Sequence, residues 1–208
     1  MLINKSCLEV EFPKGLMISD PPYNQKYHYA TYKDNLNLEE YTKLLRVFKP
    51  PCVIIGYPEM VINILVPILG AVSEIVCWVY NSNTAKQSRL IAWFGCKPDF
   101  RRIGQPYKNP TDKRIAERIK QGKVARGYDW WLINQVKNVS KKTIHPCPLP
   151  EELVRKIIVS TAEPGALIMD PFAGSGTVLR VAKDLGYNCF GCELDKAYFN
   201  EARLLLQE

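Results

Sequence analysis

Two short motifs contain the residues best suited to carry out chemistry. The first, Ser19-Asp20-Pro21-Pro22-Tyr23, follows an apolar run at residues 16–18. Prolines have no N–H group, so this turn presents carbonyl oxygens that local donors do not occupy. Asp20 and the Pro21 carbonyl can together accept both hydrogens of an exocyclic amino group, while the Tyr23 ring stacks on an aromatic substrate. Taken alone, the motif also fits an ordinary proline-rich turn after a strand.

The second motif, Asp170-Pro171-Phe172-Ala173-Gly174-Ser175-Gly176-Thr177, lies between a predicted strand and a predicted helix. Glycines allow the backbone to approach a ligand closely, and a helix N-terminus favours negative charge. Glu193 follows 17 residues after Gly176, about where nucleotide-binding α/β folds place the acid that binds ribose hydroxyls. No lysine follows the glycines, so the motif is not a phosphate-binding P-loop. A tight turn without a ligand is the alternative.

The elements that must position these motifs alternate between short apolar runs and helical patterns. This alternation predicts an α/β fold with a largely parallel sheet, and the length suits a single domain over residues 1–208. We expect strands at residues 2–10, 16–18, 53–56, 74–80, 89–95, 166–169 and 188–193. We expect helices at residues 38–48, 60–69, 111–121, 151–160, 175–185 and 196–207. The strand at 89–95 is close enough to its predecessor to pair with it antiparallel.

One segment interrupts this alternation and carries the positive charge of the chain. The formal charge is +7, yet residues 97–142 hold 13 Lys and Arg against four acids, a net of +9. We interpret residues 98–142 as a basic insertion that projects from the core and meets a polyanion. A solvated loop and helix is the alternative. The basic residues proposed to contact nucleic acid are Arg101, Arg102, Lys113, Arg114, Arg118, Lys123 and Arg126.

The composition excludes several other classes of protein. No apolar stretch reaches the roughly 18 unbroken residues of a membrane span, and no signal peptide is visible, so we expect a soluble, cytoplasmic protein. The seven cysteines are expected to be reduced. Cys189 and Cys192 form a CxxC pair, but no second pair answers it, so buried core thiols are favoured and no metal site is predicted.

The two motifs, with Lys142-Thr143-Ile144-His145-Pro146 and Gly191-Cys192-Glu193-Leu194, resemble the beta class of DNA amino-methyltransferases. In that class the catalytic motif precedes the target-recognition region and the cofactor motif comes last, as in this chain. The resemblance implies a Rossmann-like sheet of S-adenosylmethionine-dependent methyltransferases with circularly permuted motif order. It covers nearly the whole chain, except about residues 103–141.

The resemblance also implies roles for individual residues. Asp20, Pro21, Pro22 and Tyr23 would form the catalytic pocket, where acceptors on the amine steer its lone pair toward a methyl group. The residues implied to hold the cofactor are Ser6, His145, Pro146, Asp170, Phe172, Gly174, Gly176 and Glu193. Ser6 stands where the family usually has an Asp, and Leu149 where it commonly has a Lys. Taken alone, His145 would fit a structural histidine better, and the matched motif makes a cofactor role equally good.

The substrate implied by the resemblance is a base flipped out of duplex DNA. The Asp-Pro-Pro-Tyr form favours adenine N6, because cytosine-N4 relatives more often have Ser in the Asp position. Adenine N6 in RNA is a further alternative, and a non-catalytic nucleic-acid-binding module is the alternative from another class. Trp130 and Trp131 either contact bases or anchor the insertion. Dimerisation is common in the family, so a homodimer is an open alternative, as is a partner nuclease.

Overall fold

The computed structural model describes residues 1–27, 29, 31–136 and 145–207. Part of the predicted motif before His145, namely Lys142, Thr143 and Ile144, lies outside these residues. All eight strands of the described chain belong to one sheet in the order β1-β8-β7-β2-β3-β5-β4-β6. The strands are β1 (Leu2–Ile3), β2 (Leu16–Ser19), β3 (Cys52–Gly56), β4 (Glu74–Val79), β5 (Ser88–Phe94), β6 (Trp130–Leu132), β7 (Leu167–Asp170) and β8 (Asn188–Cys192).

The strand directions confirm the predicted, largely parallel sheet. Neighbouring strands pair in parallel, except that β5 runs antiparallel to both β3 and β4. The antiparallel pairing of β5 with β4 was expected, whereas its pairing with β3 was not. Consequently the start of β5 and the carboxyl ends of β2, β3, β7 and β8 meet at the same edge of the sheet.

Helices cover both faces of the sheet. They are α1 (Leu38–Leu45), α2 (Pro58–Met60), α3 (Val66–Leu69), α4 (Lys113–Lys120), α5 (Glu151–Thr161), α6 (Thr177–Asp184) and α7 (Lys196–Leu205), with a π-helical turn, Val61–Leu65, between α2 and α3. One buried cluster lies under α5 and α6, and a second lies under α1 and the segments from α2 to α3. Local signals define several of these helices: Asn37 and Glu40 form a capping box on α1, and Asp112 and Asp195 cap α4 and α7.

Two sequence-based expectations need correction. The expected first strand at residues 2–10 is only Leu2–Ile3, followed by a 3-10 turn at Cys7–Glu9. The Ser6 side chain accepts a hydrogen bond from the Leu8 amide, and such local bonds compete with strand pairing. The basic segment also does not simply project, because β6 pairs with β4 at the sheet edge and Trp131 lies in the core, 4% exposed.

Within the described residues, no helix is long and apolar enough to cross a membrane. The cytoplasmic location and the single domain over residues 1–208 stay predictions.

Candidate active site

A cavity of about 650 Å³ opens at the edge where the strand ends meet, and both motifs line it. Of the predicted site residues, it is lined by Ser6, Asp20, Pro21, Pro22, Tyr23, His145, Asp170, Phe172, Gly174 and Glu193. A cavity of this size accommodates a drug-sized ligand. The motifs are about 150 residues apart in the chain, but β2 and β7 are paired neighbours, so the sheet brings them together.

The Asp20 carboxyl lies at the end of β2 with 15% of its side chain exposed. The Tyr23 hydroxyl donates a hydrogen bond to Oδ1 of Asp20, and a guanidinium nitrogen of Arg89 lies 3.5 Å from Oδ2. Burial raises the pKa of Asp20, whereas the charge of Arg89 and the bond from Tyr23 oppose that rise. Both oxygens of the predicted catalytic acid therefore already have partners.

The proline turn is supported from below by a tyrosine of α1. The Tyr41 hydroxyl donates a hydrogen bond of 2.8 Å to the carbonyl of Pro22, and Pro21 is buried. The Tyr23 ring lies 4.8 Å from the Tyr57 ring at the end of β3. These contacts hold the turn and its ring in place.

Asp170 connects the two motifs at the end of β7. The Ser19 hydroxyl, on β2, donates a hydrogen bond of 2.5 Å to Oδ1 of Asp170, and the Phe172 amide donates one of 3.0 Å to the same oxygen. Asp170 is only 2% exposed. Burial raises the pKa of this carboxyl to about 7, although both hydrogen bonds act to lower it. The group is therefore close to its titration point at neutral pH.

A hydrogen bond connects the glycine turn to Glu193. The Gly174 amide donates a 2.7 Å hydrogen bond to Oε2 of Glu193, and the Asp195 amide donates one of 2.8 Å to Oε1. Gly174 has φ +52°, and a Cβ there would lie 3.0 Å from Nε2 of His145, so a larger residue would crowd the cavity. Burial raises the pKa of Glu193.

Gly176, unlike Gly174, does not line the cavity. Its φ is +77°, and a Cβ would lie 2.9 Å from the Cβ of Ala202 on α7. Helix packing and the backbone conformation at the start of α6 therefore explain this glycine, and it does not contribute to the cavity lining.

His145 and Ser6 both line the cavity. The His145 ring packs edge-on against Tyr198 of α7, with ring centroids 4.7 Å apart, and burial lowers its pKa to about 4. This histidine is therefore neutral at physiological pH. Pro146 is half-buried beside it but does not line the cavity.

The seven basic residues predicted to contact nucleic acid are all exposed, and they lie outside the cavity lining. Arg101 pairs with Asp99 at 2.8 Å, and Arg102 pairs with Glu163 at 3.0 Å, so these two already have acidic partners. Arg126 lies over the Phe100 ring at 5.3 Å. Three others, Lys113, Arg114 and Arg118, belong to α4, and Arg114 lies 3.7 Å from Oδ1 of Asp112.

The two tryptophans have different surroundings. Trp131 is buried and its ring packs edge-on against Trp93, so it anchors the basic segment to the sheet. Trp130 is 49% exposed and stacks on Tyr128, with an interplanar angle of 5°. The structure thus assigns the anchoring alternative to Trp131 and leaves the Trp130 ring accessible.

Sequence reasoning missed several residues that line the cavity. Arg89 is the most informative, and Tyr29, Tyr57, Asp195 and Tyr198 are others. A single arginine inside the apolar strand Ser88–Phe94 was a usable signal, because buried charges need partners. The tyrosines carried no such signal.

Cys189 and Cys192, the CxxC pair, lie on β8. Cys192 is buried and Cys189 is partly buried, and no group of three His, Cys, Asp or Glu residues within the described ranges is arranged to hold a metal ion.

A family model described as a DNA methylase, covering N6 and N4 methyltransferases, matches residues 57–204. The chain belongs to this family, and the predicted family resemblance is confirmed. The matched range begins after the Asp20–Tyr23 turn.

Two curated relatives are type II methyltransferases. The chain is 31% identical to M.BglII of Bacillus subtilis over 136 residues, which cover 61% of this chain and 38% of that enzyme. It is 27% identical to M.HpaI of Haemophilus parainfluenzae over 216 residues, which cover 90% of this chain and 66% of that enzyme. The chain therefore spans between about two fifths and two thirds of the length of these relatives.

Two solved structures share the fold over the full chain. The M1.HpyAVI–SAM complex matches with a TM-score of 0.67 at 20% sequence identity. The match covers 100% of the present chain and 98% of the M1.HpyAVI chain. The PvuII DNA methyltransferase, described as cytosine-N4-specific, matches with a TM-score of 0.64 at 16% sequence identity. The match covers 100% of the present chain and 86% of the PvuII enzyme chain. The predicted Rossmann-like methyltransferase fold is thus confirmed.

Proposed function

We propose that the chain transfers a methyl group from S-adenosylmethionine to the exocyclic amino group of a base in DNA. The observation that carries this proposal is the shared cavity. The Asp20–Tyr23 turn forms one part of its lining, and Asp170, Gly174 and Glu193 form another. An amine and a methyl donor can therefore be bound side by side. The family membership and the M1.HpyAVI–SAM structure support the same donor.

The residues present fit this donor. Asp170 and Glu193 are carboxyls suited to the cationic amino group and the ribose hydroxyls, and Gly174 leaves room that a Cβ would fill. Phe172 and the neutral His145 ring also line the cavity and supply apolar surface. When bound, the donor supplies a methyl group on a positively charged sulfur.

The catalytic turn acts on the amine. An aromatic amine is a poor nucleophile because its lone pair is delocalised into the ring. Hydrogen bonds to Asp20 and to the Pro21 carbonyl favour a pyramidal nitrogen and direct the lone pair toward the methyl group. The bound donor would supply the methyl group, and the nitrogen would pass the proton that it loses along its hydrogen bond to the Asp20 carboxylate. Tyr23 stacks on the base throughout.

The proposal includes adenine N6 as the target, supported by the aspartate of the Asp-Pro-Pro-Tyr turn. The fold does not separate adenine from cytosine, because the cytosine-N4-specific PvuII enzyme shares it. Cytosine N4 in DNA is therefore the second candidate, and adenine N6 in RNA is the third.

The DNA partner is proposed from the exposed basic residues of the segment 98–142. Phosphate contacts from Lys113, Arg114, Arg118, Lys123 and Arg126 would offset the cost of flipping a base, roughly a few kcal/mol. Trp130 and Tyr128 offer a stacked aromatic surface for bases or sugars. A homodimer stays an open alternative.

The experiment incubates purified protein with labelled S-adenosylmethionine and unmethylated duplex DNA, followed by digestion and mass spectrometry of the nucleosides. N6-methyladenine is expected, whereas N4-methylcytosine would overturn the choice of base. A matched RNA of the same sequence tests RNA as the alternative substrate.

Asp20→Ala should abolish turnover while cofactor binding is retained. The control is Asp184→Ala, which replaces an exposed acid on α6 and should leave turnover unchanged. Turnover equal to wild type in Asp20→Ala would contradict the assigned role.

A further inference from the structure

Arg89 is a charged residue buried within an otherwise apolar strand. It lies near the start of β5, 9% exposed, and its register partner on β4 is Trp78. Its neighbour Leu90 pairs with Gly56, the last residue of β3. Because β5 runs antiparallel to β3, the start of β5 lies beside the carboxyl ends of β2 and β3. The fold thus delivers this one guanidinium to the edge that carries Asp20.

Four aromatic rings enclose the Arg89 guanidinium. Its central carbon lies 5.0 Å from the ring centroid of Tyr23, 5.3 Å from Trp78, 5.5 Å from Tyr57 and 5.8 Å from Tyr80. These distances suit cation–π contacts. The rings restrict where the guanidinium can lie. They direct it toward Oδ2 of Asp20, 3.5 Å away, which belongs to the single carboxylate within 4 Å among the described residues.

Burying the charge of Arg89 is unfavourable in free energy, and packing alone does not explain it. Its Nε atom is buried and, among the described residues, has no hydrogen-bond partner. An ion pair in such surroundings often contributes no more to folding than apolar side chains of the same volume. An unpaired buried donor lowers stability further. The arginine is better explained by what its charge does to Asp20.

We propose that Arg89 is a positioning residue that keeps the Asp20 carboxylate ionised and oriented toward the incoming amine. The inference rests on the proposed function, because it deepens the role of Asp20. In the structure Tyr23 engages Oδ1 and Arg89 faces Oδ2, so the pair fixes the carboxylate from both sides. An ionised carboxylate accepts two hydrogen bonds where a carboxylic acid would also donate one.

The charged and titratable groups around Asp20 define what Arg89 must counteract. Burial disfavours the charged carboxylate, and Arg89 supplies the largest opposing effect. The Tyr23 hydroxyl adds a hydrogen bond, and the more distant acid Asp170 and the hydroxyls of Tyr29 and Tyr41 also sense the Asp20 charge. Arg89 is the cation that faces this group within the described chain.

The test compares Arg89→Met, Arg89→Lys and Lys86→Met. Lys86 is a matched control because its ammonium also stacks on Tyr57, at 4.2 Å, but pairs with Glu59 on the exposed side. The first measurement follows the carboxyl carbon of Asp20 by NMR during a pH titration of the cofactor-free protein. The second is the pH profile of methyl transfer, with cofactor binding by calorimetry as the check on folding.

Arg89→Met should raise the pKa of Asp20 and move the acidic limb of the kcat profile to higher pH. On that limb each pH unit of displacement lowers turnover about tenfold at fixed pH, and turnover should recover as the pH rises. Arg89→Lys should restore much of the profile, and Lys86→Met should leave it in place. Adding Arg89→Met to Asp20→Asn should change the residual turnover little, because the arginine acts through the carboxylate.

An unchanged Asp20 titration in Arg89→Met would overturn the proposal, as would an equal loss of turnover in the Asp20→Asn background. If the wild-type protein methylates no base, the proposed function fails, while the NMR titration still decides the role of Arg89. The two failures are thereby distinguished.

Discussion

Asp170 should make cofactor binding depend on pH in the acidic and neutral range. Its carboxyl is buried and its pKa is raised to about 7 from an ordinary 3.8. The folded protein therefore holds this proton more tightly than the unfolded chain does. Protonation therefore favours folding. This group's contribution to stability is fully present below pH 3.8, declines as the pH rises above 3.8, and is lost as the pH passes about 7. This difference between the folded and unfolded pKa values corresponds to roughly 4 kcal/mol in the free energy of unfolding.

The proposed donor needs the opposite state of Asp170. Its cationic amino group is stabilised by the carboxylate and not by the neutral acid. Below pH 7 binding must first remove the proton, so affinity should fall about tenfold for each pH unit, or about a hundredfold between pH 7 and pH 5. Above pH 7 the affinity should level off. His145, with a pKa of about 4, stays neutral throughout this range.

Calorimetry of S-adenosylmethionine binding between pH 5 and 8.5, in buffers of different ionisation enthalpy, measures both the affinity and the released proton. Ser19→Ala removes the 2.5 Å hydrogen bond that favours the ionised form, so it should extend the weak-binding range above pH 7. Asp170→Asn should bind weakly with no such slope. Equal slopes in wild type and Asp170→Asn would refute the assignment, since Glu193 or another group would then carry the proton.

Three further predictions concern stability and DNA binding. Trp131→Ala should lower the free energy of unfolding by about 3–5 kcal/mol, whereas Trp130→Ala, at an exposed site, should stay within about 0.5 kcal/mol in urea melts; equal losses would contradict the anchoring role. Gly176→Ala should lower the melting temperature more than Gly186→Ala, because both have positive φ but only the first would meet another side chain; the reverse order would contradict the packing argument. Arg118→Ala should reduce the slope of log affinity for DNA against log salt by about 1, and an unchanged slope would remove this residue from the interface.

The predictions that succeeded rest on local chemistry. The strand before Asp20, the turn at Asp170–Gly176 and the following helix are each specified by neighbouring residues, through apolar runs, prolines and glycines. The order of the motifs along the chain is equally a property of the sequence. These features suffice for the family and for the Rossmann-like sheet, and their outlines survive in the structure with small shifts of element ends.

Tertiary structure decided the features that depend on distant pairing. Arg89 reaches Asp20 only because β5 inserts antiparallel beside β3, and no local pattern states which strand a given strand will pair with. The same holds for β6, whose three residues join the sheet edge although its surroundings have the composition of a loop. Gly174 and Gly176 look alike in the sequence, yet one lines the cavity and the other packs against α7, because only the fold determines what stands beside each Cα.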